Sequence, residues 1–272
     1  MQDFPMITSR DNERLKFARR VRDNKEKGFA FIEGRRLCEE AIRSRIDIKT
    51  AFVTKEFGHQ ELGSRIDAFL NNGSTDVFIV SESILTSISD TKTPQGILMI
   101  GVRPESTPID SLLVSVDSKL RIWVALYKVN NPSNLGAVIR TAEAAGVCGL
   151  IISAGSADPF SAKSLRASMG SAFRLPIALE SELEICIEKA KKYRILSAAI
   201  DAGGTVGHTL FDWKRPTLLV FGSEAFGLTE KLNSQVDAKV KIEMAPNVES
   251  LNLAVSSGIV LFEARRQILR LS

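Results

Sequence analysis

Histidine is nearly absent: His59 and His208 are the only two in 272 residues. That leaves little material for a histidine-based metal centre or a Ser/His/Asp triad, and each is expected to be an ordinary surface or loop residue. Cysteine is scarce too. Cys38, Cys148 and Cys186 are far apart and odd in number. They lack the spacing of a disulfide framework or a metal site, so buried free thiols in a reducing cytoplasm are expected. No stretch approaches the roughly 18 apolar residues that cross a bilayer. The opening MQDFPMITSRDNERLK has no apolar core of a secretory signal. The glycine signatures of nucleotide sites are missing: neither G-x-G-x-x-G after a strand nor G-x-x-x-x-G-K-[ST] occurs. Their absence argues against a nicotinamide-dependent oxidoreductase and against a polyphosphate ligand. Internal repeats and low-complexity tracts are absent as well.

What is present is a globular balance of 44% apolar and 25% charged residues, in a chain long enough for two modest domains. The net charge of +4 is unevenly placed. From Arg10 to Arg36 there are ten Lys/Arg against five Asp/Glu, a net of +5, which leaves −1 for the rest of the chain. Such a segment is either a solvated helix face or a surface for a polyanion, and charge alone does not choose between them.

The pattern of the chain is strand and helix in alternation. FAFIE, TAFVT, DVFIV and GILMIGV read as strands, with helices through Leu37 and Ile42, near Leu62 to Leu70, and through Ile84 and Leu85 behind a Ser81 cap. The stretch from Gly101 to Lys119, with its prolines and small polar residues, reads as a linker. Beyond it RIWVALYKV, GLIISAG, LPIAL, RILSAAI, TLLVFG and KVKIEM are strand runs, several apolar throughout. Helices follow over Leu135 to Ala145, Ser161 to Met169, Glu182 to Lys192, near Leu228, and at the end of the chain. This predicts an α/β fold with a mostly parallel sheet covered on both faces.

Ligands of such sheets bind beyond the C-terminal ends of the strands. Three loops there, Asn131 to Gly146, Ser223 to Leu228 and Ala245 to Asn252, are rich in Gly, Asn, Ser or Pro. Glu224 sits where a phosphate would require amide donors, so the loops suit a ligand that carries positive charge and is held by main-chain groups. Gly222 and Gly227 are equally explained by turn formation. Arg140 reads either as an exposed or ion-paired arginine, with Glu143 as partner, or as a guanidinium aimed into the site. In the last helix Leu251, Val255, Ile259 and Phe262 form a stripe that predicts the buried face. Its first turn nevertheless carries Ser250 and Asn252, and a helix cap accounts for only one of them.

The segments NPSNLGAVIRTAEAAG, LLVFGSEAFGLT and KIEMAPNVESLNLAVSSGIVLFEARRQ, in this order and spacing, resemble the three motifs of the SpoU (TrmH-type) branch of the SPOUT methyltransferases. ITSRDN, FIEGRRLCEEAI and TPQGIL are similar to the RNA-substrate domain that often precedes them. The departures are small: Asn131 stands where Asp is common, Ala225 where Gly is common, and Ala245 intervenes before Pro246.

The resemblance implies a SPOUT domain over 119–272, with a deep trefoil knot in its mostly parallel sheet. It implies a smaller, L30e-like α/β RNA-substrate-binding domain over 1–105 and a linker over 106–118. It also implies a homodimer in the cytoplasm that transfers methyl from S-adenosylmethionine to a ribose 2′-hydroxyl of RNA, ribosomal RNA in preference to tRNA, with no metal and no membrane. By position, Gly222, Glu224, Leu228, Ile242, Met244, Leu251 and Asn252 would hold the cofactor. Arg140, Asn134, Glu224, Ser250 and Asn252 would serve the chemistry, and Arg10, Arg14, Arg35 and Arg36 the RNA. Retention of Arg140, Asn134, Glu224 and Asn252 argues against an inactive RNA-binding relative.

Overall fold

The computed structural model describes residues 4–61, 63–114, 120–224 and 226–269. They form two compact units: Met1–Glu105 with Pro159–Arg174, and Ser106–Asp158 with Leu175–Ser272.

The first unit runs β1 (Met6–Ile7), α1 (Glu13–Arg22), β2 (Phe29–Glu33), α2 (Arg35–Arg43), β3 (Ile48–Val53), α3 (Lys55–Gln60), α4 (Arg65–Leu70), β4 (Asp76–Val80), α5 (Glu82–Ile88) and β5 (Ile97–Val102). Its sheet has the order β1-β4-β3-β5-β2. β4 runs parallel to β1 and β3, whereas β5 is antiparallel to β3 and β2. Leu15, Phe31, Phe52, Leu85 and Leu98 pack as one of its buried clusters. The helix expected near Leu62 to Leu70 is two short helices, and Leu62 lies outside the described residues. Thr54 caps the first by accepting from Phe57 N, and Ser64 caps the second by accepting from Asp67 N. Gly63, at φ +77°, breaks the chain between them.

The second unit opens with α6 (Ile109–Val114), then β6 (Ile122–Leu126), α7 (Pro132–Ala145) and β7 (Gly149–Ser153). The next helix, α8 (Ala162–Ser168), belongs to the first unit. The second unit resumes with β8 (Ile177–Ser181), α9 (Leu183–Lys192), β9 (Leu196–Ile200), β10 (Val206–Gly207), β11 (Thr217–Phe221), α10 (Glu230–Gln235), β12 (Ala238–Lys241) and α11 (Leu253–Leu269). The sheet order is β10-β12-β9-β11-β6-β7-β8, and every pairing in it is parallel. The apolar runs that predicted buried strands are wholly buried in β6, β7 and β11. Within the stretch read as a linker, α6 buries Leu112 and Leu113, and Leu112 O accepts from the Trp123 indole at 2.8 Å. Residues 115–119 lie outside the described ones. No described helix is long and apolar enough to cross a membrane, and the three cysteines are buried.

The last helix corrects the expected stripe. Leu251, Val255 and Phe262 are 36%, 51% and 49% exposed. The buried face is Leu253, Ser257, Val260, Leu261 and Ala264, and it packs on α7. Both faces are apolar, and Ser257 disguises the buried one. Its hydroxyl is satisfied locally by donating to Ala254 O at 2.8 Å, so a polar residue sits in the core without penalty.

Candidate active site at the strand ends

In this sheet the chain proceeds outward from β6 to β7 and β8, then resumes on the opposite side with β9, and β11 is inserted between β9 and β6. The loops after β6, β9, β11 and β12 therefore converge at a reversal of strand order, where open parallel sheets bind ligands. A cavity of about 440 Å³ lies there. That is ample for a small cofactor.

Each wall has a local cause. Asn131 caps α7 by accepting from Ser133 N and Asn134 N, with Pro132 in the first turn, and this places Asn134 at the cavity. After β11 the chain folds back on itself: Ser223 N donates to Gly227 O at 3.0 Å and Gly227 N to Ser223 O at 2.9 Å. Gly222 permits that turn, because a Cβ there would lie 2.3 Å from the Gly227 carbonyl carbon. Asn252 caps α11, its Oδ1 accepting from Ala254 N at 2.9 Å. Its amide does something else, donating to Asn134 Oδ1 at 3.2 Å, while Asn134 Nδ2 donates to Glu224 Oε1 at 3.0 Å. A single chain of hydrogen bonds thus ties the first, second and third motif loops together. The polar first turn has two tasks.

Of the expected cofactor residues, Gly222, Glu224, Ile242, Met244, Leu251 and Asn252 line the cavity, as do Asn134 and Ser250. The Leu228 side chain packs instead against the core. Arg140 is exposed on α7 and is not among the lining residues. Six residues beyond Asn134 it has turned about 240° around the helix, and it pairs neither with Glu143 nor with any other described residue. Asp201, Ala202, Ser223 and Ser256 also line the cavity and were missed. The rule that found the other three loops also covers Asp201, which directly follows the strand run RILSAAI.

The charge of the cavity is one-sided: Asp201 and Glu224 line it, and among the described residues no Lys, Arg or His does. In the first unit, Arg14 lies 2.8 Å from Asp76 and over the Phe78 ring, and Arg35 Nε lies 3.0 Å from Glu61 Oε1. The guanidinium groups of Arg10 and Arg36 have no partner among the described residues. None of the described His, Cys, Asp and Glu are grouped so as to hold a metal ion.

A parallel sheet whose switch-point pocket is acidic and, among the described residues, free of cations defines a class: an α/β domain suited to a small, positively charged ligand. The comparisons with known proteins are specific. Residues 121–262 match the SpoU rRNA Methylase family, and residues 12–99 match the MRM3-like substrate binding domain. An uncharacterized tRNA/rRNA methyltransferase of Synechocystis is 31% identical over 97% of this chain and 95% of its own length. The 23S rRNA (guanosine(2553)-2′-O)-methyltransferase RlmP of Bacillus subtilis is 28% identical over 95% of this chain and 98% of its own. The AdoMet-bound rRNA methyltransferase from Sinorhizobium meliloti superposes with a TM-score of 0.83 at 31% identity, covering 97% of this chain and 98% of that one. The chain belongs to the SpoU family of RNA methyltransferases.

Proposed function

We propose that the protein transfers the methyl group of S-adenosylmethionine to a ribose 2′-hydroxyl of ribosomal RNA. The observation that carries this reading is the cavity with two carboxylates and, among the described residues, no basic one. Such a site repels phosphates and favours a ligand bearing ammonium and sulfonium charges. The AdoMet-bound relative and the 2′-O specificity in the name of RlmP support the cofactor and the acceptor. When bound, the cofactor supplies a methyl group already activated on sulfur.

This chain's residues then bind and position. Gly222 and the loop it closes bring main chain to the ligand, Ile242, Met244 and Leu251 offer apolar cover, and Asn134, Glu224 and Asn252 hold the three loops in register. Ser250, which lines the same cavity, serves the acceptor hydroxyl. Arg140 grips the phosphate next to the target ribose and polarises its hydroxyl, acting from a second copy of the chain because it does not line its own cavity. The exposed Val255 and Phe262, on the side of α11 opposite its buried face, form the face that the second copy covers. A homodimeric mass by light scattering supports this arrangement, and a monomer at micromolar concentration contradicts it. The domain over 1–105 binds RNA, that over 119–272 carries the reaction, and the trefoil knot belongs to the latter. Transfer RNA is the second acceptor to be tested. Mass mapping of ribose methylation in a strain lacking the gene tests the proposal: one position of ribosomal RNA should lose its methyl group. An unchanged ribosomal map with a lost tRNA methyl group would move the substrate to tRNA.

A further inference from the structure

The first unit holds a cavity of about 940 Å³ that methyl transfer does not use. Two unmet demands face it. One is at the start of α2, a nine-residue helix whose N-cap, Gly34, has no side chain to offer. Arg35 N donates to Gln95 Oε1 at 3.0 Å, but the N–H groups of Arg36 and Leu37 have no acceptor among the described residues. The first turn contains no acid and carries the Arg35 and Arg36 side chains. Free amides, a helix dipole and the unpartnered Arg36 guanidinium call for an anion, Arg35 being already paired with Glu61 and Glu39. The other demand is opposite in sign. Glu61 is 4% exposed, its Oε1 is held by Arg35 Nε at 3.0 Å, and its Oε2 is buried without a hydrogen-bond partner. A buried carboxylate oxygen without a donor is costly to keep, so a donor is expected to arrive with a ligand.

A free phosphate meets only the first demand, and an amine only the second. One nucleotide meets both, and the cavity has room for it. We infer that this cavity takes a single unstacked nucleotide of the bound RNA, with its phosphate on the N-terminus of α2 and Arg36 and its base offering an exocyclic amine to Glu61. Cytosine, adenine and guanine qualify. Uracil has no exocyclic amine, and its one edge donor, N3–H, sits between two carbonyl oxygens that a carboxylate repels. Reading of unstacked bases by their edges is how proteins commonly distinguish single-stranded RNA sequences. The inference rests on the reading of the protein as an RNA methyltransferase.

The test is fluorescence anisotropy of the full-length protein with labelled C8 and U8 RNA octamers, which differ at each base in a 4-amine against a carbonyl and in N3 as acceptor against N3–H as donor. The wild type should bind C8 about ten-fold more tightly than U8, the scale of one good base-edge contact. Glu61→Gln keeps an oxygen for Arg35 but turns an amide donor to the ligand, so the preference should vanish or invert. Arg36→Ala should weaken both octamers alike and leave the ratio standing. Equal binding of C8 and U8 by the wild type, a comparison that needs no variant to fold, would overturn the inference. So would a preference that survives in Glu61→Gln. If a ribosomal RNA transcript still binds in either case, only the nucleotide pocket falls. If the transcript also fails to bind, the RNA reading falls with it.

Discussion

Asn252 and Asn134 share a hydrogen bond of 3.2 Å across 118 residues of chain, and the same Asn252 caps the helix it opens. The two tasks use different atoms of one amide, so they can be separated. Asn252→Asp keeps the capping oxygen and removes the donor. Thermal stability should hold, while cofactor affinity falls as Asn134 and Glu224 lose their register. Asn252→Ala should additionally lose about 1 kcal/mol of stability with the cap. Calorimetric titration and melting of both variants check this, and equal melting losses would mean that the cap contributes nothing.

Gly222 has a backbone reason to be glycine before any ligand is considered. Its Cβ would lie 2.3 Å from Gly227 C and 2.6 Å from Leu228 N, so even Gly222→Ala must open the loop that Ser223 and Gly227 close. Gly222→Val should abolish measurable S-adenosylmethionine binding and cost about 1–3 kcal/mol of stability, the scale of overpacking. Near-normal binding by this variant would remove the loop from the cofactor site.

Arg140 offers a sharp separation of turnover from folding. It is exposed and unpaired among the described residues, so Arg140→Ala should leave stability within about 0.5 kcal/mol of the wild type. Cofactor affinity should also stand, because the residue does not line the cavity. Turnover should be lost, and Arg140→Lys should fail nearly as badly, since a phosphate grip uses the planar fork. Single-turnover methylation beside cofactor titration of the same samples decides it.

The basic segment should make RNA binding salt-sensitive, but its arginines are not equivalent. Arg14 and Arg35 already face carboxylates, whereas Arg10 and Arg36 do not. Replacing Arg10 and Arg36 together by Ala should flatten the log-affinity against log-salt slope by roughly 0.7–0.9 unit per lost contact. Arg14→Ala should change it less. Equal slopes in wild type and double variant would return the segment to a solvated face.

Much of this was legible from the chain. FAFIE and DVFIV are strands to the residue, and the three polar loops do meet at one cavity. What failed failed for physical reasons. Leu251, Val255 and Phe262 looked like a core stripe because α11 is apolar on two sides, and periodicity cannot say which side meets α7. Ser257 hid the true face by solving its own hydrogen bond. Asp201 was passed over because one acid after a strand is common, and it became conspicuous only beside Glu224 in a cavity without cations. Glu61 carried no sequence signal whatever, since being unpartnered is a property of the folded state.

Methyl transfer by the purified protein, with tritiated S-adenosylmethionine and unmodified ribosomal RNA, followed by alkaline hydrolysis, distinguishes a ribose acceptor from a base. A methyl group on a ribose 2′-oxygen blocks cleavage of the adjoining phosphodiester. The account therefore predicts that the label appears in alkali-resistant dinucleotides. Label recovered in mononucleotides would place the methyl group on a base, and no label in the RNA despite cofactor binding would contradict methyl transfer to it altogether.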